Sequence, residues 1–434
     1  MTDHGEPQAR KRMADWWHTI RKHPLAKVGP GLITGVADDD PSGIATYSQA
    51  GAQFGLNMLW TMPLCYPLMS AVQLMCAQIG RVTGKGLAAN IKTAFPPVVL
   101  RSVVVLLLIA NTLNIAADVA AMGEVGELVT GFNRHVMTLL FVVVTLGLQI
   151  GVAYHVYVTY LKWLTLSLLA YAAVLFTVHV PWGQVALHTV WPQFTLNSTS
   201  AAVIVGVFGT TISPYLFFWQ ASEEVEDMKR AGGRPLLGGD PVIARAELRR
   251  MRWDTWSGMF YSDISAYFVI LATAVTLNVA GITDVNTAAE AATALRPLAG
   301  HFAFLLFTIG LLGVGLIGVP VLAGSGAYAA AEVMNWKQGL EGGVAKERGF
   351  YGVIAVSVLL GLGIQYSPIS PMKALFWSAV INGVVAVPLL AVISLLIAKK
   401  AVMGEYIGNR WLVGLGWVTT ALMGAAAVCM FLPG

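Results

Sequence analysis

The chain has 434 residues, 56% of them hydrophobic and only 12% charged, with a mean hydropathy of +0.67. Soluble domains carry about 25% charged residues, so the charge needed to face water is roughly half missing. That excludes a disordered chain and a nucleic-acid binder, and leaves a polytopic membrane protein. The net charge of +4 is a small difference between 27 Lys+Arg and 23 Asp+Glu, and its distribution matters more than its size.

Residues 1–29 form a polar, basic tail without the uninterrupted apolar core of a cleavable signal. Beyond it, stretches of roughly 20 apolar residues, enough to cross ~30 Å of hydrocarbon, predict eleven spans. They lie near 30–56, 57–80, 98–123, 135–154, 160–180, 198–224, 254–281, 299–333, 350–366, 371–397 and 411–432. With the tail inside, all but three of the 27 Lys+Arg fall on cytoplasmic segments; the exceptions are Arg134, Arg296 and Lys373. This asymmetry predicts a cytoplasmic N-terminus and an external C-terminus in a bacterial-type inner membrane. The longest link, 225–253, holds GGRPLLGGDP and then the basic, helix-like run ARAELRRMRW, and reads as a solvated cytoplasmic connector whose arginines meet anionic lipid.

The first span reads GPGLITGVADDDPSGIATYSQAGAQFG, with Asp38, Asp39 and Asp40 in its middle, followed by Pro41, Ser42 and Gly43. Intramembrane carboxylates are functional candidates by default. Proline and glycine beside them predict a helix broken at mid-membrane, where freed carbonyls and a carboxylate make a hard-oxygen cation site. The third span carries Asp118, which is expected to gate or neutralise.

The sixth span has a second break, with Gly209, Thr210, Thr211 and Ser213 ahead of Pro214. Alone it reads as a simple proline kink with back-bonding hydroxyls; its position changes that reading. The two breaks open the first and sixth spans, so each begins a five-span unit, and interrupted helices at matching positions point to a transporter site. The units are 30–180 and 198–397, with the 225–253 loop inside the second and 411–432 as an added helix.

In the seventh span Asp263 reads as a packing partner, and in the tenth Asn382 reads equally as an ion-pathway residue or as interhelical glue beside Gly383. Cys65, Cys76 and Cys429 lie in apolar runs and read as packing residues. Trp16, Trp17, Trp182, Trp191 and Trp411 fall near span ends, as interfacial anchors do. No HExxH or GxSxG motif supports a hydrolase.

At these residues the chain resembles the natural-resistance-associated macrophage protein (NRAMP) family of divalent-metal transporters. The stretches DDDPSGIATYSQAGAQFG and QIGRVTGKGLA (Gln78 to Ala88) follow the family pattern. The resemblance implies an all-α, LeuT-like (APC-type) fold: two inverted five-helix repeats plus extra helices, with helices 1 and 6 unwound at the site.

The departures carry information. The family's Asp-Pro-Gly-Asn becomes Asp40-Pro41-Ser42-Gly43, which keeps the aspartate and loses the asparagine. Its Met-Pro-His becomes Ser213-Pro214-Tyr215. A residue usually alanine falls on Thr210, the second histidine on Gln220, and the glutamate of the third helix on Ala121, with Asp118 kept. Thioether sulfur favours softer transition metals, whereas oxygen sites suit Mg²⁺, Ca²⁺ and Mn²⁺. Mg²⁺ keeps several waters, which fits a roomier, hydroxyl-lined site. This resembles the family's magnesium-transporting relatives.

The histidines and glutamate that serve proton transfer in the family are absent. The expectation is therefore import of Mg²⁺ and/or Mn²⁺ by alternating access, without tight proton coupling. The expected metal site is Asp40, Gly43, Thr210, Thr211 and Ser213. Asp39, Asp118, Tyr215, Gln220, Glu223 and Asn382 are expected along the pathway or in coupling, with Glu224 a further possible relay. A proton-coupled Mn²⁺/Fe²⁺ symporter and a same-fold carrier of an organic solute are the alternatives. The expected partners are the cation and membrane lipid, with no cofactor besides the ion. The pattern specifies no oligomeric state.

Overall fold

The computed structural model describes residues 29–152, 161, 163–193, 197–340, 344, 346–364 and 369–431. The tail through residue 28, with Trp16 and Trp17, lies outside the described residues, as do the join of the fourth and fifth expected spans and the last residues of the ninth and eleventh.

The helices in chain order are α1 (Pro30–Asp38), α2 (Pro41–Phe54), α3 (Thr61–Thr83), α4 (Pro97–Thr130), α5 (Arg134–Gly151), α6 (Ser198–Thr211), α7 (Pro214–Arg230), α8 (Pro241–Thr273), α9 (Ala303–Met334), α10 (Arg348–Ile364), α11 (Pro371–Ile397) and α12 (Arg410–Met430). Shorter helical pieces connect them. Among the described residues, 8 helical stretches are long and apolar enough to cross a membrane. The first expected span is not among them because it is realised as two pieces, α1 of 9 residues and α2 of 14. At ~1.5 Å per residue neither crosses alone. The described part of the fifth expected span, 160–180, holds only a 3₁₀ turn at Leu164–Leu168 and a short helix at Leu169–Val174.

The 225–253 connector is shorter than expected. The helix-like run ARAELRRMRW is the start of α8, continuous with the membrane-crossing part. Asp240 caps that helix by accepting from the Val242 amide, and Pro241 occupies the first turn, so the helix begins well before the apolar stretch does.

α1 and α2 pack along α8, α6 lies against α11 and α12, and α4 touches both α9 and α11. Two glycine contacts set these approaches. A Cβ on Gly35 would lie 2.2 Å from the Gly258 carbonyl oxygen, and one on Gly209 would lie 2.1 Å from the Ala379 carbonyl oxygen. Backbones therefore meet directly at the α1–α8 and α6–α11 crossings, as small residues allow between membrane helices. The most apolar window of the α6–α7 stretch is wholly buried, against 28% of that of α12. Trp182, Trp191 and Trp411 are exposed at helix ends, in keeping with an anchoring role.

Candidate functional site

Both expected breaks are present. α1 stops at Asp38, and Asp40 is the N-cap of α2, with its side chain accepting from the Gly43 amide and Pro41 at the first helical position. The Asp-Pro-Ser-Gly run is thus a helix start placed where a span should continue. α6 stops at Thr211 and α7 begins at Pro214, where proline supplies no amide to continue the ladder. The breaks meet: Ser42 Oγ lies 3.4 Å from Thr210 Oγ1, and the Tyr215 hydroxyl lies 3.2 Å from both Asp40 Oδ2 and the Ala37 carbonyl oxygen.

Asp40 is 1% exposed and receives four donors. Ser42 Oγ (2.6 Å) and the Gly43 amide (2.9 Å) reach Oδ1; Asn114 Nδ2 (2.9 Å) and the Tyr215 hydroxyl (3.2 Å) reach Oδ2. A carboxylate has about four lone-pair positions, so every one has a suitor. The two kinds of donor differ in what they offer a cation. The amide groups of Gly43 and Asn114 can only donate. The hydroxyls of Ser42 and Tyr215 can rotate and turn lone pairs to an ion, which converts donors into ligands.

Gly43 is itself a contact point. A Cβ there would meet Tyr47 Cε2 at 3.2 Å and Thr210 Oγ1 at 3.3 Å. The space an asparagine would fill is therefore bordered by two hydroxyl-bearing residues. Asn114 is a residue that the sequence reading missed. It is held in turn by Ser378, whose hydroxyl donates to Asn114 Oδ1 at 2.6 Å. Its signal was the spacing Asn111, Asn114, Asp118, a polar stripe on an otherwise apolar α4.

The other expected residues divide. The Ser213 hydroxyl donates to its own helix, to the Gly209 and Thr210 carbonyls at 2.7 and 2.6 Å. Thr211 turns away from Asp40: its hydroxyl lies 2.9 Å from the Val207 carbonyl and 2.8 Å from Cys65 Sγ. Asp118, Gln220 and Asn382 are buried, and their side-chain polar atoms have no hydrogen-bond partner among the described residues.

Glu223 and Glu224 belong elsewhere. Glu223 faces Arg230 at 3.8 Å, and Glu224 lies 3.5 Å from Arg250 and 3.9 Å from Arg81. With Asp227 and Glu247, also paired to Arg81, they close the end of the bundle where α3, α7 and α8 meet. Asp39 points to α8, where the Ser262 hydroxyl lies 3.0 Å from Asp39 Oδ1 and also touches Asp38.

Among the described residues no three His, Cys, Asp or Glu side chains converge as a metal-chelating group. The site is one carboxylate ringed by neutral oxygens. A cleft of about 400 Å³ lies between α2, α6 and α11, lined by Gln49, Gln53, Asp284, Asn286 and Lys373. Asp40 is not part of its lining and is shut from solvent.

Three comparisons bear on this arrangement. The chain is 26% identical over 412 residues to the divalent metal cation transporter MntH of Klebsiella pneumoniae subsp. pneumoniae, covering 93% of both chains. Its fold is similar to that of the Eremococcus coleocola manganese transporter, with a TM-score of 0.70 at 16% identity, covering 98% of this chain and 88% of the other. It is also similar to MhsT, solved in complex with L-phenylalanine, with a TM-score of 0.66 at 11% identity, covering 93% of this chain and 98% of that one. The family model for natural resistance-associated macrophage protein-like chains matches residues 31–433, and with broken first and sixth spans meeting at a buried aspartate, the chain belongs to that family.

Proposed function

We propose that the protein is a secondary transporter that imports a divalent cation, Mg²⁺ and/or Mn²⁺, across a bacterial-type inner membrane by alternating access. The observation that carries this reading is Asp40, a lone carboxylate at the meeting of two helix breaks, surrounded by the hydroxyls of Ser42, Thr210 and Tyr215. An all-oxygen surround favours hard cations, and hydroxyls that reorient suit an ion that keeps part of its water shell. The relatives named above as divalent metal cation and manganese transporters agree with this substrate class. In this reading eleven spans form two inverted five-helix units plus one helix, with the N-terminus in the cytoplasm and the C-terminus outside.

Entry is driven by voltage without tight proton coupling. No histidine occurs between His188 and His301, a stretch that covers all of α6 and α7. An inside-negative potential supplies ~2.3 kcal/mol per charge per 100 mV, which suffices to concentrate a divalent ion. Asp118 favours a second reading, a proton-coupled Mn²⁺/Fe²⁺ symporter: both its carboxylate oxygens are buried without partners, one turn from Asn114. Proteoliposome uptake of Mg²⁺, Mn²⁺ and Ca²⁺ in competition, with internal pH followed together, decides. Mg²⁺ or Mn²⁺ uptake with flat internal pH is expected. Acidification in step with uptake replaces this reading by the symporter, and absence of any divalent uptake overturns both.

A further inference from the structure

The Asp40 site leaves much negative charge unanswered. Asp38 and Asp39 are 0% and 2% exposed, yet among the described residues their carboxylates are met only by serine hydroxyls of α8, Ser262 at both and Ser265 at Asp39. Asp38 Oδ1 and Asp39 Oδ2 are buried with no partner, as is Asp263 Oδ1 on the neighbouring residue of α8. Among the described residues no Lys or Arg pairs with any of the three; the recorded ion pairs gather around Arg81, Lys229, Arg230 and Arg250. The end of α1 adds to the imbalance, because its last carbonyls point the negative end of the helix dipole at the same place.

An independent observation points to a missing occupant. The Tyr47 hydroxyl, on a side chain 1% exposed, is buried without a hydrogen-bond partner among the described residues, and the charges that act on it most strongly are those of Asp38 and Asp39. Tyrosine hydroxyls usually find a partner when buried. A buried donor and two buried acceptors interact electrostatically and yet form no hydrogen bond with one another. That pattern describes a space shared through something else.

A buried carboxylate must take up a proton or find a counter-charge, and one divalent ion at Asp40 cannot serve all four of these acids. We propose that Asp38, Asp39 and Asp263, with the hydroxyls of Ser262 and Tyr47, form a second cation site beside Asp40, on the α1–α8 flank. The ion is partly hydrated, because these side chains do not converge as a direct chelating group. It belongs to the transported class, and the site stages an ion between Asp40 and the end of the bundle where Asp254 of α8 accepts from the Gly31 amide at the start of α1. This inference rests on the divalent-cation reading above.

The test is Mn²⁺ binding to the purified full-length protein, followed by the electron paramagnetic resonance signal of free Mn²⁺. Two equivalents per chain are expected in the wild type. Asp263→Asn should remove one and keep the other, Asp263→Glu should restore it, and Asp40→Asn should remove the opposite one. Ser262→Ala should weaken only the second step, by about tenfold, as loss of a group orienting a ligand typically does, and it serves if Asp263→Asn does not fold. A single wild-type equivalent, lost in Asp40→Asn and untouched by Asp263→Asn or Ser262→Ala, overturns the second site and leaves the transport reading standing. No Mn²⁺ binding at all overturns both.

Discussion

At the first break, residues 38–43, the chain places three consecutive carboxylates, and Asp40 draws donors from its own helix, from α4 and from α7. At the second, residues 209–215, it places hydroxyls, and those of Thr211 and Ser213 mostly bond back to carbonyls of the helix that has just ended. The first break is charged and held by the rest of the fold; the second is neutral and largely self-satisfied. Only Thr210 and Tyr215 reach across. Attraction for the cation is therefore expected to reside in α1–α2. The α6–α7 break is expected to shape the oxygen surround and to set which ion fits.

The largest effect should come from removing the charge. Asp40→Ala is expected to reduce Mn²⁺ and Mg²⁺ uptake in proteoliposomes to the level of empty vesicles; residual saturable uptake would move the binding charge to another acid. Next is the support of that charge from α4. Asn114→Ala removes the Nδ2 donor to Asp40 Oδ2, and loss of such a supporting group costs about 10- to 100-fold in affinity. A KM near wild type would show that Asn114 packs without orienting Asp40.

The neutral break should answer differently. Ser213→Met replaces a back-bonded hydroxyl with a thioether, and the ratio of Mn²⁺ to Mg²⁺ uptake should rise several-fold, since sulfur prefers the softer ion. An unchanged selectivity profile means that position 213 does not face the ion. The smallest change is expected for Tyr215→Phe. It deletes one hydroxyl shared by Asp40 and the Ala37 carbonyl, and a net hydrogen bond of about 0.5–1.5 kcal/mol corresponds to a KM raised about 2- to 12-fold. A collapse as deep as that of Asp40→Ala would erase the contrast between the two breaks.

Much of this was legible in the residues. Asp-Pro-Ser-Gly inside an apolar run conflicts with an unbroken helix, because proline lacks the amide and aspartate prefers a cap. The break at Pro214 could be read in the same way. Contacts between distant segments were not legible. Asn114 and Ser378 looked like two of many small polar residues in apolar helices, and only the crossing of α4 with α11 makes them a relay to Asp40. Glu223 and Glu224 looked like pathway acids, but Arg81 and Arg250 arrive from α3 and α8 and enlist them in ion pairs. Thr211 faces Cys65 rather than Asp40 because consecutive residues of a helix point about 100° apart, away from the direction of Thr210. The basic run before the seventh span reads as helix-like but as part of a cytoplasmic connector; Asp240 and Pro241 join it to the membrane helix by starting α8 early.

Hydropathy, the positions of proline and glycine, and the placement of Lys and Arg are local quantities. They were enough to specify a membrane protein with two interrupted spans and an acid at the first interruption, since each follows from what a stretch of some twenty residues does in lipid. The partners of each buried polar group depend on which helix faces lie together. That is settled by backbone-close crossings such as Gly35 on Gly258 and Gly209 on Ala379, between residues far apart along the chain. The identity of the acid belongs to the first kind of information, and the four donors around it belong to the second.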